Sequence, residues 1–346
     1  MDLAQQISGM LCEEAGPVVK ARRSDHGVNH FDIDNGGEAA IRVYSVNEEK
    51  TDLESLEDAA SLAAFYNAKF FHELVVTEKV GVQVPRLTIS FKKGDVVCFA
   101  TEDKTANTAR MAELGFHELT QVAEQLAFLH AIRVIDDVRT TINDNHAVVW
   151  EQTVERIDRR LETGISSIES ELRVFFSRPD EIRSKLRALH AEHLHISPRL
   201  SVLCHGSLTG ERCSFDDAGH LVQIDGWESV HTGHPIEDLV SLIVSSASPE
   251  TRRRDYMKII RHYFYALVDM RAPHLMLADL RAAFKASMGA VVLANLDHLI
   301  DQLACPVRFT SDIKHILARR WESALDDAYA VAIGEYESDN EQSFFK

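Results

Sequence analysis

The chain has 346 residues, 45% of them hydrophobic and 26% charged, which suits one large folded domain or two closely joined lobes. A formal net charge of -17 and a pI of about 5.4 give a surface that repels phosphate backbones and anionic lipid, so nucleic acid and membrane are excluded as expected partners. The five cysteines (Cys12, Cys98, Cys204, Cys213, Cys305) are scattered without a C-x-x-C pair, no apolar run is long enough to span a bilayer, and residues 1–14 lack the layout of a secretory signal. Reduced thiols and a cytoplasmic location are expected.

Up to about residue 104, short β-branched runs alternate with turn signals. Residues 39–44 read as a strand following an Asn35-Gly36-Gly37 turn. Residues 53–71, rich in Ala and Leu, read as a helix, and residues 86–91 and 96–100 as strands joined across Lys92-Lys93-Gly94-Asp95. One helix interrupting an antiparallel sheet is an α+β layout. Beyond this point helical spacing takes over, first at Leu119, Val122, Leu126 and Leu129, then at Val154, Ile157, Leu161, Ile165 and Ile168. His190, His193 and His195 read as a histidine-rich surface helix end rather than a metal site, since the ligand set is incomplete. A β-like island follows over residues 200–224, with turns at Thr209-Gly210 and Asp216-Asp217-Ala218-Gly219. Helices then resume around Ile259–Leu267, 280–299 and 312–333. Arg252-Arg253-Arg254 reads as a solvated helix face, Trp150 and Trp227 as core residues with a place beside a substrate pocket as the alternative, and residues 337–346 as a loosely ordered end.

The island reads Leu203-Cys204-His205-Gly206-Ser207-Leu208-Thr209-Gly210-Glu211-Arg212-Cys213. It continues through Ile224-Asp225-Gly226-Trp227 to Gly233-His234-Pro235-Ile236-Glu237-Asp238-Leu239. This order resembles the choline-kinase-like and ecdysteroid-kinase-like (CHK kinase-like) family, relatives of the aminoglycoside phosphotransferases in the protein-kinase-like superfamily. The family pattern is H-G-D-L-W-x-x-N, then I-D-W/F, then G-x-P-x-x-D-L. Ala64-Phe65-Tyr66, Val84-Pro85, Leu129-His130-Ala131 and Ile196-Ser197-Pro198 are similar to its flanking segments, so the likeness covers most of the chain. It implies a two-lobed fold, with a β-rich N-lobe over residues 1–104 and a helical C-lobe over 105–346. It also implies ATP and Mg²⁺ as cofactors, and transfer to a hydroxyl of a small molecule such as a steroid or a choline-like alcohol.

Kinase chemistry needs a loop Asp to orient the attacking hydroxyl, an Asn and a second Asp to hold metal, and a strand Lys paired with a helix Glu to grip the phosphates. Carried over by the resemblance, the catalytic Asp position is Ser207, whose hydroxyl has no charge and is no useful base near neutral pH. The metal-ligand Asn position is Arg212, which offers a cation no acceptor. The second Asp is kept as Asp225, either a metal ligand or a buried carboxylate bracing its loop, with the following aromatic displaced to Trp227 by Gly226. Arg42 takes the strand Lys position, and the helix Glu falls on Leu62, leaving Glu57 or Asp58 as substitutes. The glycine-rich loop is reduced to Gly27 in Asp25-His26-Gly27-Val28. Glu102 resembles the hinge that meets adenine through backbone groups, His205 orients the loop, and Asp238 caps or braces a helix beginning at Leu239.

Several exchanges at functional positions on a retained scaffold point to a pseudokinase that binds a small molecule, a nucleotide or a protein. Two alternatives stay open: an active phosphotransferase with an unconventional site, in which Glu211 swings toward the reaction or Arg212 supplies charge, and a scaffold with no nucleotide binding.

Overall fold

The computed structural model describes residues 18–25, 28–34, 40–50, 55–78, 81–104, 113–134, 136–191, 201–270, 275–307 and 309–335. The Asn35-Gly36-Gly37 turn, His26 and Gly27, His193 and His195, Ile196-Ser197-Pro198, Cys12, residues 1–14 and residues 337–346 lie outside them. The chain divides into two compact units: Met1–Arg110 with Val134–Gln152 and Arg212–His231, and Met111–Arg133 with Thr153–Glu211 and Thr232–Lys346.

In chain order the elements are β1 (Val18–Asp25), β2 (Val28–Asp34), β3 (Ala40–Asn47), α1 (Leu56–Glu78), β4 (Arg86–Lys93), β5 (Val96–Asp103), α2 (Phe116–His130), α3 (Asp136–Glu169) and α4 (Pro179–Ala191). They continue as β6 (Val202–Cys204), β7 (Cys213–Phe215), β8 (Leu221–Ile224), β9 (His231–Gly233), α5 (Ile236–Ser246), α6 (Pro249–Asp269), α7 (Leu277–Ala304) and α8 (Ser311–Ala332). No described helix is long and apolar enough to cross a membrane.

The first unit is built on an antiparallel sheet in the order β1-β2-β3-β5-β4. Gly94 makes the β4–β5 turn possible with a φ of 60°, a left-handed conformation that costs glycine nothing. Period-two alternation sends Val46, Val97 and Phe99 toward α1 and Val43, Cys98 and Ala100 to the opposite face. α1 starts at a reciprocal cap: Ser55 Oγ accepts from the Asp58 N–H at 3.1 Å, and the Asp58 carboxylate accepts from the Ser55 N–H at 3.1 Å. Its Phe65 and Ala68 close the core against Val28, Val97 and Phe99.

The second unit is helical, with α2 packed on α6, α7 on α8 and α5 on α7. Leu119, Val122, Leu126 and Leu129 are all buried, as their spacing requires. Ser248 caps α6 by accepting from the Thr251 N–H, with Pro249 in the first turn, where a missing N–H costs nothing. α6 exposes Arg253 and Arg254, as expected of Arg252-Arg253-Arg254, but not Arg252. Arg252 is fully buried, donating to Asp327 from Nε at 2.9 Å and Nη2 at 2.8 Å, because the helix turns it inward against a carboxylate on α8. Trp150 also departs from expectation: it is 49% exposed on α3, whereas Trp227 is buried. The four described cysteines are free thiols.

Candidate functional site

The family-like loop lies in the second unit, directly after β6. Gly206 takes a φ of 84°, and this turn aims two successive backbone N–H groups at one carboxylate. His205 N donates to Asp238 Oδ2 at 2.7 Å and Gly206 N to Oδ1 at 2.9 Å. Asp238 therefore does not cap a helix starting at Leu239. It lies within α5, which begins at Ile236, and its buried carboxylate braces the loop.

His130 Nε2 stands 3.2 Å from Asp238 Oδ2, and its Nδ1 stands 2.7 Å from the Tyr263 hydroxyl. Burial alone would raise the Asp238 pKa, but the His130 hydrogen bond and charge, with the His205 donors, outweigh it and hold it below the usual carboxylate value. Ser207 sits at the end of this brace, its N–H donating to His205 Nδ1 at 3.3 Å. The loop is fixed further by Ser241 Oγ donating to the Leu208 carbonyl at 2.7 Å and by the Gly210 N–H donating to Ser246 Oγ at 2.6 Å. Glu211 points elsewhere: its carboxylate accepts from Gln302 Nε2 and lies 3.3 Å from His298 Nε2, both on α7.

Arg42, Arg212 and Asp225 come together in the first unit, at a cavity of about 240 Å³ beneath the sheet. β3 supplies Arg42, whose Nη1 lies 3.8 Å from Asp225 Oδ2 and whose Nε lies 4.0 Å from Asp32 Oδ1 on the neighbouring strand. Both separations are ion-pair range, longer than a hydrogen bond. β8 delivers Asp225 to the cavity rim, with the Asp225 N–H donating to the Arg212 carbonyl at 2.9 Å and the Ile224 N–H to the Gln83 carbonyl at 2.7 Å. Gly226 then turns with a φ of 87°.

The side chain of Arg212 lies over this glycine. Its Cζ and Nη1 are 2.6 Å from the point a Cβ on Gly226 would occupy. Any other residue at 226 would have to displace the guanidinium, so the glycine after Asp225 and the arginine at 212 are a matched pair. Trp227, displaced by one position, stacks on Phe71 with ring centroids 3.8 Å apart at 10° and donates from Nε1 to the Ile224 carbonyl at 2.9 Å. Asn67 holds the same turn through a 3.1 Å bond to the Val230 carbonyl.

The α1 face lining the cavity is Ser61, Ala64, Phe65, Ala68 and His72, at helical spacing. It carries no carboxylate. Leu62 packs with the core cluster and Asp58 caps the helix, while Asp32 and Asp225 stand in ion-pair range of Arg42. Gly27, the remaining loop glycine, lies outside the described residues. Glu102 lies inside β5, between Ile41 and Arg86 in register, and its carboxylate accepts from Arg86 Nε at 2.7 Å.

Two cavity residues carried no sequence signal. Tyr44 bonds to Arg42, and burial first of all pushes its hydroxyl up to about 12. His72 is 94% buried given its 6% exposure, and its Nδ1 has no hydrogen-bond partner. Burial pushes its pKa down to about 4, against a smaller pull upward from Glu228 and the Pro85 carbonyl. The only hint was a stripe of small residues, Ser61, Ala64 and Ala68, which leaves room beside the histidine.

Comparison with known proteins places this architecture. Spectinomycin phosphotransferase APH(9)-Ia, solved with ADP and spectinomycin, aligns over 96% of this chain and 98% of its own at 10% identity and a TM-score of 0.50. Its AMP-bound complex aligns over 97% and 100% at 12% identity and a TM-score of 0.51. Choline kinase LicA from Streptococcus pneumoniae aligns over 94% and 97% at 13% identity and a TM-score of 0.46. At such identities the spectinomycin phosphotransferase alignments establish a shared kinase-like fold and nothing finer. No curated protein sequence matches the chain significantly. The profile of the ecdysteroid kinase-like family matches residues 100–274, just over half of the chain and including both Ser207 and Asp225. The chain thus belongs to the ecdysteroid kinase-like family, with the two-lobed α+β fold of the small-molecule phosphotransferases.

Proposed function

We propose that this family member is a pseudokinase, which uses the fold to bind a ligand and does not transfer phosphate from ATP. The observation that carries the reading is the seat of Arg212 on Gly226 beside Asp225, with Arg42 at 3.8 Å on the carboxylate. Magnesium takes oxygen ligands in a near-octahedral shell. The position where the family keeps an asparagine ligand instead presents a guanidinium, which has no acceptor and repels a cation. The residues present therefore do not suit a divalent ion at Asp225.

Three further features support the reading. Ser207, at the family's base position, has no charge to orient an attacking hydroxyl. Arg42 replaces the phosphate-gripping lysine and is countered by Asp32 rather than a helix acid. Glu211, the nearest carboxylate in sequence that could stand in, is bonded to Gln302. In this reading His205 orients the loop and Glu102 occupies the hinge position without a side-chain role in nucleotide contact. ATP is the nucleotide that the family's activity implies.

The test is a long phosphotransfer assay with ATP and Mg²⁺ over hydroxylated acceptors, including steroids and choline-like alcohols. ADP formation at the level of a protein-free control is expected. Acceptor-dependent turnover that disappears in Asp225→Asn would overturn the proposal.

A further inference from the structure

The charged groups lining the cavity in the first unit bear on what it binds. In a metal-dependent kinase the order of charges is carboxylate, divalent cation, phosphate. Here the groups around Asp225 are the guanidinium groups of Arg42 and Arg212, and both line the same cavity. A guanidinium has five N–H donors in a planar fork, so one edge can face a carboxylate while the other faces a phosphate. The order carboxylate, cation, phosphate survives with the arginine as the cation. Gly226 is what makes room for it, since a Cβ there would lie 2.6 Å from Arg212 Cζ.

Arg42 and Arg212 line the cavity together with Asp225 and Glu228, so a phosphate there meets guanidinium donors already in place. A second and independent feature marks the cavity as a binding site. His72, nine-tenths buried and with no hydrogen-bond partner at Nδ1, lines it alongside the aromatic faces of Tyr44 and Phe99, which stack at 4.7 Å and 10°. With its other nitrogen bonded to the Pro85 carbonyl, a neutral His72 offers Nδ1 as an acceptor for a ligand O–H or N–H.

We propose that Arg212 is a built-in replacement for the divalent cation, and that the cavity binds a phosphorylated small molecule bearing hydrogen-bond donors without any metal. This rests on the pseudokinase reading but can fail separately from it.

Isothermal titration of the full chain with ATP and with inorganic pyrophosphate, each in EDTA and in Mg²⁺, tests it. The expected result is an ATP affinity in EDTA within about threefold of that in Mg²⁺, and weaker binding of pyrophosphate, which lacks the N–H and O–H donors of adenosine. Arg212→Asn should weaken ATP binding in EDTA by about tenfold or more and make it recover in Mg²⁺, while Arg212→Lys, which keeps the charge and loses the fork, should fall between. ATP binding by the unaltered protein that needs Mg²⁺ would overturn the proposal, as would absence of binding by either probe. Neither result depends on how the variants fold. Pyrophosphate binding as tight as ATP would overturn the donor requirement. Acceptor-dependent ADP formation in the same samples would refute the pseudokinase reading while leaving the metal question to the EDTA comparison.

Discussion

The Arg212 guanidinium occupies the space a side chain at Gly226 would need, with Cζ and Nη1 2.6 Å from the missing Cβ. The two residues, separate along the sequence, therefore form one structural unit. Gly226→Ala should cost about 2 kcal/mol, roughly half from an alanine at a φ of 87° and half from the clash. In an Arg212→Ala background only the backbone strain remains, so the cost should drop to about 1 kcal/mol. Urea unfolding of the four proteins measures this. Equal costs in both backgrounds would show that the two residues do not interact.

Asp238 is the support of the His205-Gly206 loop, and its removal should unfold more than a contact. Asp238→Asn leaves one of the two backbone N–H groups poorly matched and strands His130, for an expected loss of about 3 kcal/mol. Because its pKa is held below the ordinary carboxylate value, its contribution is present above about pH 4 and is lost as pH falls below that. Chemical denaturation at pH 7 and at pH 3 should show the variant's deficit shrinking on acidification. A constant deficit would assign the brace to packing alone.

His72 gives a pH dependence of its own. Unfolded histidine titrates near about 6.5, while His72 is pushed down to about 4, so between these values the unfolded chain binds the extra proton. Stability should therefore fall as pH drops through this window, by about 2 kcal/mol at pH 5 from His72. His146, pushed to about 3 by burial and the neighbouring His231, adds a slope of the same sign. In His72→Gln the melting temperature should decline less between pH 7 and pH 5 than in the unaltered protein. Parallel curves would mean that His72 is charged or solvated in the folded state.

Much of the first unit could be read from the sequence because alternation and helical spacing state which face is buried. The strands at 86–91 and 96–100 are found as β4 and β5, and the Ala-rich helix expected over 53–71 as α1, Leu56–Glu78. β1 escaped because Val18–Asp25 has no clean alternation, and its pairing with β2 shifts register twice. The first half of α3 escaped for the opposite reason, being polar on several faces, and Trp150 on it is exposed instead of packed.

Residue type singled out Arg42, Arg212 and Asp225 as candidates, and the structure brings these three to one cavity. The site was not legible where it depends on what the fold brings alongside. Neither the seat of Arg212 on Gly226 nor the pairing of Arg42 with Asp32 can be read from spacing, because both depend on register between separate strands and turns. Arg252 is the same lesson in the second unit: three arginines in a row suggest a wet surface until Asp327 is placed on the neighbouring helix.

The replacement of a metal ion by Arg212 is open to direct observation. Crystals soaked with Mn²⁺ and a non-hydrolysable ATP analogue, with diffraction recorded at the manganese edge, would locate any cation by its anomalous signal. If Arg212 takes the cation's place, no peak lies beside Asp225 and the guanidinium remains over Gly226. A manganese peak at about 2.1 Å from the Asp225 carboxylate, with Arg212 swung away, would show instead that the divalent site is intact.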